Sequence, residues 1–277
     1  MNNILLLTDF SDSSINAIHY ALNLFKDNTC DFFVLNVESS ITYLGDDLMT
    51  VGNKSIYESL IKKPKGKLET LVLDLEKAYN NENFSFEALI DHDVFIDAIN
   101  QVVKAKSIDL IVMGTNGVTG AKEVVFGSNT INVIRKVNCS TLVIPETFKY
   151  RAPKELVLPL GINDSISSKA FASLLTFAKQ YSKKVHIIRV KPNDEVSLEE
   201  KHDSAYIEKN LNDINYEYHV VNHVPINYVV NSYIQTNPID LIALLVHKES
   251  FFERFFIGSS TAQISNKLKL PLMVYHV

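Results

Sequence analysis

The chain has 277 residues, of which 46% are hydrophobic and 21% charged, with a net charge of −5. That size suits one large or two ordinary domains with ample apolar core, and the mild acidity argues against nucleic acid or an anionic membrane as the main partner. No apolar run approaches a membrane span, and the N-terminus runs almost directly into ILLLTDF with neither a basic flank nor a cleavage-site pattern, so no membrane insertion or signal peptide is expected. Two cysteines, Cys30 and Cys139, read as reduced core residues, which points to the cytoplasm.

Residues 4–7 form a short apolar strand leading into Thr8-Asp9-Phe10-Ser11. Ser11 or Ser13 can cap the helix that follows, whose buried face is marked by Ile15, Ile18, Ala21, Leu22 and Phe25. Residues 32–37 read as a strand buried on both faces. The pattern then loosens over 38–66, with Gly45, Gly52 and Pro64, and predicts an irregular crossover. A helix over about 67–80 runs through Leu68, Leu71, Leu75 and Ala78. A strand near 84–90 follows, then a helix over 94–104 with Asp93 as its cap.

Residues 108–144 read IDLIVMGTNGVTGAKEVVFGSNTINVIRKVNCSTLVI. The run 110–113 is too short for a helix and is bounded by glycine, which predicts a buried strand. Gly114 is followed by two residues, then Gly117, nine residues, and Gly127-Ser128. Ile131, Ile134 and Val137 then recur at helical spacing, and Thr141–Ile144 closes the stretch as a strand. Strand, glycine-bearing loop, helix, strand is the sequence form of a phosphate-binding turn. Gly114, lacking a Cβ, would let a ligand approach the strand's carboxyl end. Gly127 and Ser128 open a helix whose unpaired N–H groups and positive dipole end attract phosphate.

After a charged and aromatic linker over 145–153 the same order starts again. Strands are predicted at 156–160, 185–190, 216–221, 241–246 and 272–275, and helices at 165–181, 198–211, 226–235 and 259–268. Shifting the chain by 131 residues lays Ile108-Asp109-Leu110-Ile111 over Ile239-Asp240-Leu241-Ile242, and Gly127-Ser128 over Gly258-Ser259, without a gap. Internal duplication explains this most economically. Alternating strands and helices in both halves predict an α/β fold with doubly wound parallel sheets.

The spacing G-x2-G-x9-G-(S/T), complete at Gly114, Gly117, Gly127 and Ser128, resembles the motif of the ATP-binding branch of the universal stress protein family. TDFS at 8–11 is a second match, and the resemblance extends over essentially the whole chain. It implies two tandem five-stranded sheets of order 3-2-1-4-5, adenine nucleotide alpha-hydrolase-like, over residues 1–147 and 154–277. Ligands of such sheets sit outside the carboxyl ends of the strands where the order reverses, here between strands one and four. Carried over by position, the resemblance implies that Asp9 and Val37 help hold the adenosine, with Thr8 beside them. Met113 and Gly114 would flank the adenine or ribose. Gly117, Gly127, Ser128, Asn129 and Thr130 would cradle the phosphates of ATP, carried with Mg²⁺. The chemistry agrees, since a carboxylate accepts from ribose hydroxyls or the adenine amine, while hydroxyls and backbone N–H groups suit phosphate oxygens.

The second half departs from this pattern. Gly114 becomes Leu245, Gly117 becomes Lys248, and the counterpart of Asp9 is Leu160 or Gly161. Its loop is bulky, with Phe251, Phe252, Phe255 and Phe256, and Leu245 is expected to occupy space a nucleotide needs. The function expected is therefore ATP-binding and regulatory, with one intact and one degenerate site. The alternative is a non-catalytic interaction module with vestigial sites. An enzyme of related architecture is disfavoured, because HxGH, SGGxDS and GxxxxGK(S/T) strings are all missing, and the histidines show no metal-ligand spacing. ATP turnover is expected to be absent or very slow. The final strand of each half presents an apolar edge, a liability unless paired. Antiparallel pairing of Val143 with Val274, or of their neighbours, is therefore expected to join the halves. A further homodimer could form through the loop at 251–256 or through helix faces.

Overall fold

The computed structural model describes residues 2–38, 54–115, 127–162, 164–246 and 269–277, the side chains of 54–63 excepted. Ten strands and seven helices are found among them, in the order β1(Asn2–Leu7), α1(Asp12–Leu24), β2(Cys30–Val37), α2(Lys54–Tyr79), β3(Phe84–Asp91), α3(Phe95–Ala105), β4(Leu110–Gly114), α4(Ser128–Lys136) and β5(Thr141–Ile144) for the first half. The second half has β6(Glu155–Leu160), α5(Lys169–Tyr181), β7(Lys184–Lys191), α6(Leu198–Asn210), β8(Asn215–Asn222), α7(Ile226–Thr236), β9(Leu241–Val246) and β10(Leu272–His276). Every predicted strand is present, at its predicted bounds or longer by one or two residues. The helix expected over 259–268 lies outside the described residues.

The strands alternate between two cores. Ile4 and Leu6 face one side with Val34 and Val112, against α1 and α2, while Leu5 and Leu7 face the other with Leu35 and Met113, against α3 and α4. A period of two that is apolar on both faces is what a parallel strand covered by helices on both sides requires. The second half repeats the arrangement, with α5 and α6 on the first face and α7 on the second.

All ten strands form one sheet, ordered β3-β2-β1-β4-β5-β10-β9-β6-β7-β8. Each half has the expected 3-2-1-4-5 order, and the halves join where β5 and β10 pair antiparallel. Val143 lies opposite Leu272, Leu142 opposite Met273, and Thr141 opposite Val274. Leu142 and Met273 are equivalent under the repeat, so the approximate twofold axis passes through that pair. The linker binds this seam from the side. Asn16 Nδ2 donates to the carbonyls of Pro145 (3.2 Å) and Phe148 (3.0 Å), and Arg151 Nε lies 2.9 Å from Asp240 Oδ1. Tyr181 reaches across to donate to Asn28 Oδ1 at 2.8 Å.

Three local expectations change. First, α2 begins at Lys54 and runs through Pro64, where the sequence suggested an irregular crossover. A proline removes one helical hydrogen bond without stopping the chain, and Gly66 faces open space. The buried stripe of α2 is Leu68, Val72 and Leu75, with Tyr79 half-buried, while Ala78 is exposed. Second, Asp93 does not cap α3. Val94 is the N-cap with no side-chain bond, and Asp93 instead accepts from Val94 N (2.7 Å) and Gln101 Nε2 (3.0 Å). Third, α5 starts at Lys169, capped by Ser168, which leaves Ser165 and Ser167 in the preceding turn. At α1 the cap is Ser11, whose side chain accepts from Ser14 N.

Candidate functional site

In the first half a cavity of about 390 Å³ opens at the carboxyl ends of β1 and β4, where the strand order reverses. Its lining includes Thr8, Asp9, Val37, Met113, Gly114, Gly127, Ser128, Asn129 and Thr130. Nine of the ten residues singled out from sequence are thus brought together, and the tenth, Gly117, lies outside the described residues. The walls differ in chemistry. Leu7, Leu35, Val37, Phe95 and Met113 make an apolar slot on the α3 and α4 face of the sheet. The lining also holds the Asp9 carboxylate and the first turn of α4.

Asp9 is exposed at the mouth of the cavity. Its Oδ1 accepts from Ser11 N (3.0 Å) and Ser11 Oγ (2.5 Å), an Asx-type turn that fixes the carboxylate while leaving it capacity for further donors. The turn is tight, for Phe10 has φ 63° and its N–H donates to Thr8 Oγ1 at 3.0 Å. Thr8 is buried and also bonds Ser14 Oγ at 3.0 Å, and its carbonyl accepts from Asn36 Nδ2 at 2.9 Å. These bonds hold the TDFS loop from both sides.

Helix α4 has Gly127 as N-cap with no side-chain bond. Gly127 N–H donates to Thr115 O at 2.9 Å, and the first bond into the helix is Ile131 N–H to Gly127 O at 3.1 Å. The N–H groups of Ser128, Asn129 and Thr130 therefore stand in the first turn without helical acceptors, at the positive end of the dipole. Thr130 is set differently from what its position suggested. It is buried, and its hydroxyl lies 3.2 Å from the carbonyls of both Gly114 and Thr115, tying α4 to the end of β4.

Gly114 also has a role that spacing does not reveal. A Cβ there would fall 2.4 Å from Ser13 Oγ and 2.8 Å from the Ser13 carbonyl carbon and oxygen. The missing side chain thus makes room first for the opening turn of α1, which lies against β4 beside the cavity. Leu7, Leu35 and Phe95 were not expected at the site. The first two share the strand face of Val37 and Met113, a period-two signal available in the sequence. Phe95 could have been found only as the first residue of a helix leaving the same sheet edge.

In the second half the equivalent loop is built otherwise. Leu35 pairs with Leu7 and Ile188 with Pro159, so Arg189 stands where the first half has Asn36, and Gly161 where it has Asp9. Arg189 is fully buried. It donates to Gly161 O (2.6 Å), Asp164 O (2.8 Å) and both carboxylate oxygens of Asp203 (2.6 and 2.9 Å), and Tyr218 donates to Asp203 at 2.6 Å. Burial works against the Arg189 charge, but Asp203 outweighs it and holds the guanidinium above its ordinary value. The chain between β6 and α5 is longer than that between β1 and α1. Leu245, the counterpart of Gly114, is fully buried in the core cluster that also holds the apolar face of α5.

An apolar slot, a fixed carboxylate and a helix N-terminus thus meet at the switch point of a doubly wound α/β chain, the place where open sheets of this class bind their ligands. Comparison with known proteins then narrows the class. The model described as the universal stress protein family matches residues 1–145 and again 156–276, and the chain belongs to that family. The universal stress protein MJ0531 of Methanocaldococcus jannaschii is 26% identical over 146 residues, which cover 53% of this chain and 83% of that protein. A second protein of that organism, MJ0577, is 31% identical over 99 residues, 33% of this chain and 59% of its own length. Among solved structures, a universal stress protein from Archaeoglobus fulgidus superposes with a TM-score of 0.70 at 17% identity, over 99% of this chain and 96% of that one, and shows the shared two-half fold. No described helix is long and apolar enough to cross a membrane.

Proposed function

We propose that the chain is an ATP-binding regulatory protein with one nucleotide site, in the first half, and that the second half does not bind nucleotide in this mode. The observation that carries the reading is the joining, in one cavity of about 390 Å³, of an apolar slot, the Asp9 carboxylate and the first turn of α4. The volume lies in the range of small-molecule sites, about 300–1,000 Å³. The adenine ring suits the slot between Val37, Phe95 and Met113. The ribose hydroxyls suit Asp9. The phosphates suit the N–H groups and side chains of Ser128 and Asn129, and Mg²⁺ would be carried on the phosphates. Gly127 sets the turn into α4, where a Cβ would come within 3.2 Å of Thr115 O. In the second half Gly161 offers no carboxylate, and its carbonyl is already bound by Arg189.

Slow or absent turnover goes with this reading, since the described lining offers phosphate donors without a paired acid and base, and ground-state binding does not by itself speed the chemical step. Titration calorimetry with Mg-ATP is expected to give one site per chain. Asp9→Ala is expected to weaken it about tenfold or more, the scale of a lost charge-assisted hydrogen bond. No binding, or two equivalent sites per chain, would overturn the proposal. Single-turnover hydrolysis approaching about 1 s⁻¹, the low end of working enzymes, would overturn the non-catalytic part.

A further inference from the structure

The last strand of the second half ends on a contact with the first. His276 Nε2 lies 2.8 Å from the carbonyl oxygen of Ile134, in the last turn of α4. A carbonyl only accepts, so Nε2 carries the proton and donates. The final carbonyls of a helix have no intrahelical partner, and a donor placed on one both satisfies it and opposes the negative end of the dipole. The Nδ1 atom of His276 is buried with no hydrogen-bond partner, so the ring bears a desolvation cost that the bond to Ile134 offsets. An apolar ring of the same shape would avoid that cost and lose the bond.

The same α4 presents its other end to the cavity, through Gly127, Ser128, Asn129 and Thr130. The helix has 9 residues and so spans only about 14 Å. It is held at one end by Thr130, through the Gly114 and Thr115 carbonyls, and at the other by His276. The repeat places Pro145 at the position of His276, and a proline side chain has no donor to return the favour. Residue 145 therefore cannot return this contact, which runs from the half without the carboxylate to the half with it.

We propose that His276 is a positioning residue for the nucleotide site. The second half, having no site of this kind itself, caps the C-terminus of the helix whose N-terminus holds the phosphates. The proposal rests on the nucleotide reading above, and two measurements separate them. In the nucleotide-free protein, hydrogen–deuterium exchange over residues 128–137 is expected to speed up in His276→Phe and His276→Asn, and to stay near wild type in His276→Gln, whose amide nitrogen can take the Nε2 position. In Mg-ATP titrations the Phe and Asn variants are expected to bind about three- to fivefold more weakly, the size of a helix-terminus effect, with Gln close to wild type. Tyr181→Phe, which removes a different bond between the halves, controls for general loosening and is expected to leave both readouts unchanged. Equal exchange in wild type and His276→Asn, or equal weakening by Tyr181→Phe, would overturn the proposal. A wild type that binds no ATP would overturn the nucleotide reading instead, while the exchange data still decide whether His276 caps α4.

Discussion

Single atoms decide much at Gly114 and Gly127, two glycines of the same motif with different constraints. A methyl at Gly114 would lie 2.8 Å from backbone atoms of Ser13, which cannot swing away, whereas one at Gly127 meets only Thr115 O at 3.2 Å. Gly114→Ala is therefore expected to destabilise the fold by about 1–3 kcal/mol, as overpacking does, and Gly127→Ala by less. Thermal melts should rank the variants in that order, and the reverse order would contradict the account of Gly114. Changing Gly114 to Leu, as in the second half, would accordingly report on folding before it reported on ligand. The thiols supply a second test at this scale. Burial pushes Cys30 up to about 11 and Cys139 up to about 12. At neutral pH almost no thiolate exists at either, so a disulfide-exchange reagent should label both only as the protein unfolds. Rapid labelling of the native chain would count against their burial.

Within the second half, the elements β7, α6 and β8 meet at the Arg189–Asp203–Tyr218 network. Both charged groups are essentially excluded from water, so neither can lose the other cheaply. Asp203→Asn leaves a guanidinium buried without its counter-charge, at about 3–5 kcal/mol. The double change Arg189→Met with Asp203→Leu removes the charges together and is expected to cost clearly less. Urea unfolding midpoints of the three proteins test this, and equal losses for the single and double variants would show that the pair is not coupled. Because the network lies away from the first-half cavity, Mg-ATP affinity is expected to survive the double change.

At the scale of the whole molecule, the seam at β5 and β10 turns two repeats into one sheet. Leu142 and Met273 face each other at the twofold axis, both almost entirely buried. A sheet continuous through such a pair is expected to melt as one cooperative unit. Leu142→Asp would bury a carboxylate there at a cost of several kcal/mol. Calorimetry of that variant should show the halves melting separately, or neither folding. A single transition at the wild-type temperature would mean that the linker contacts, not the seam, couple the halves.

Much of this was written locally. Ten strands could be read because two-residue alternation and short apolar runs follow from chain geometry alone, and the repeat because its letters survive an ungapped shift. The residues that line the cavity were legible for the same reason, since they lie in short strings at strand ends, and a parallel sheet gathers strand ends along one edge. What the letters could not show depends on which elements meet, without displacing the reading of the cavity residues. Lys54 begins α2 although Pro64 reads as a break. Phe95 completes a wall otherwise made by strands, and Gly114, which lines the cavity, must also clear Ser13. Arg189 finds its partners 14 to 28 positions away, and His276 finds Ile134 across 142. Local patterns set which segments become strands and helices. Contacts at such separations are set by register, crossover and the pairing of β5 with β10, which exist only once the chain has folded.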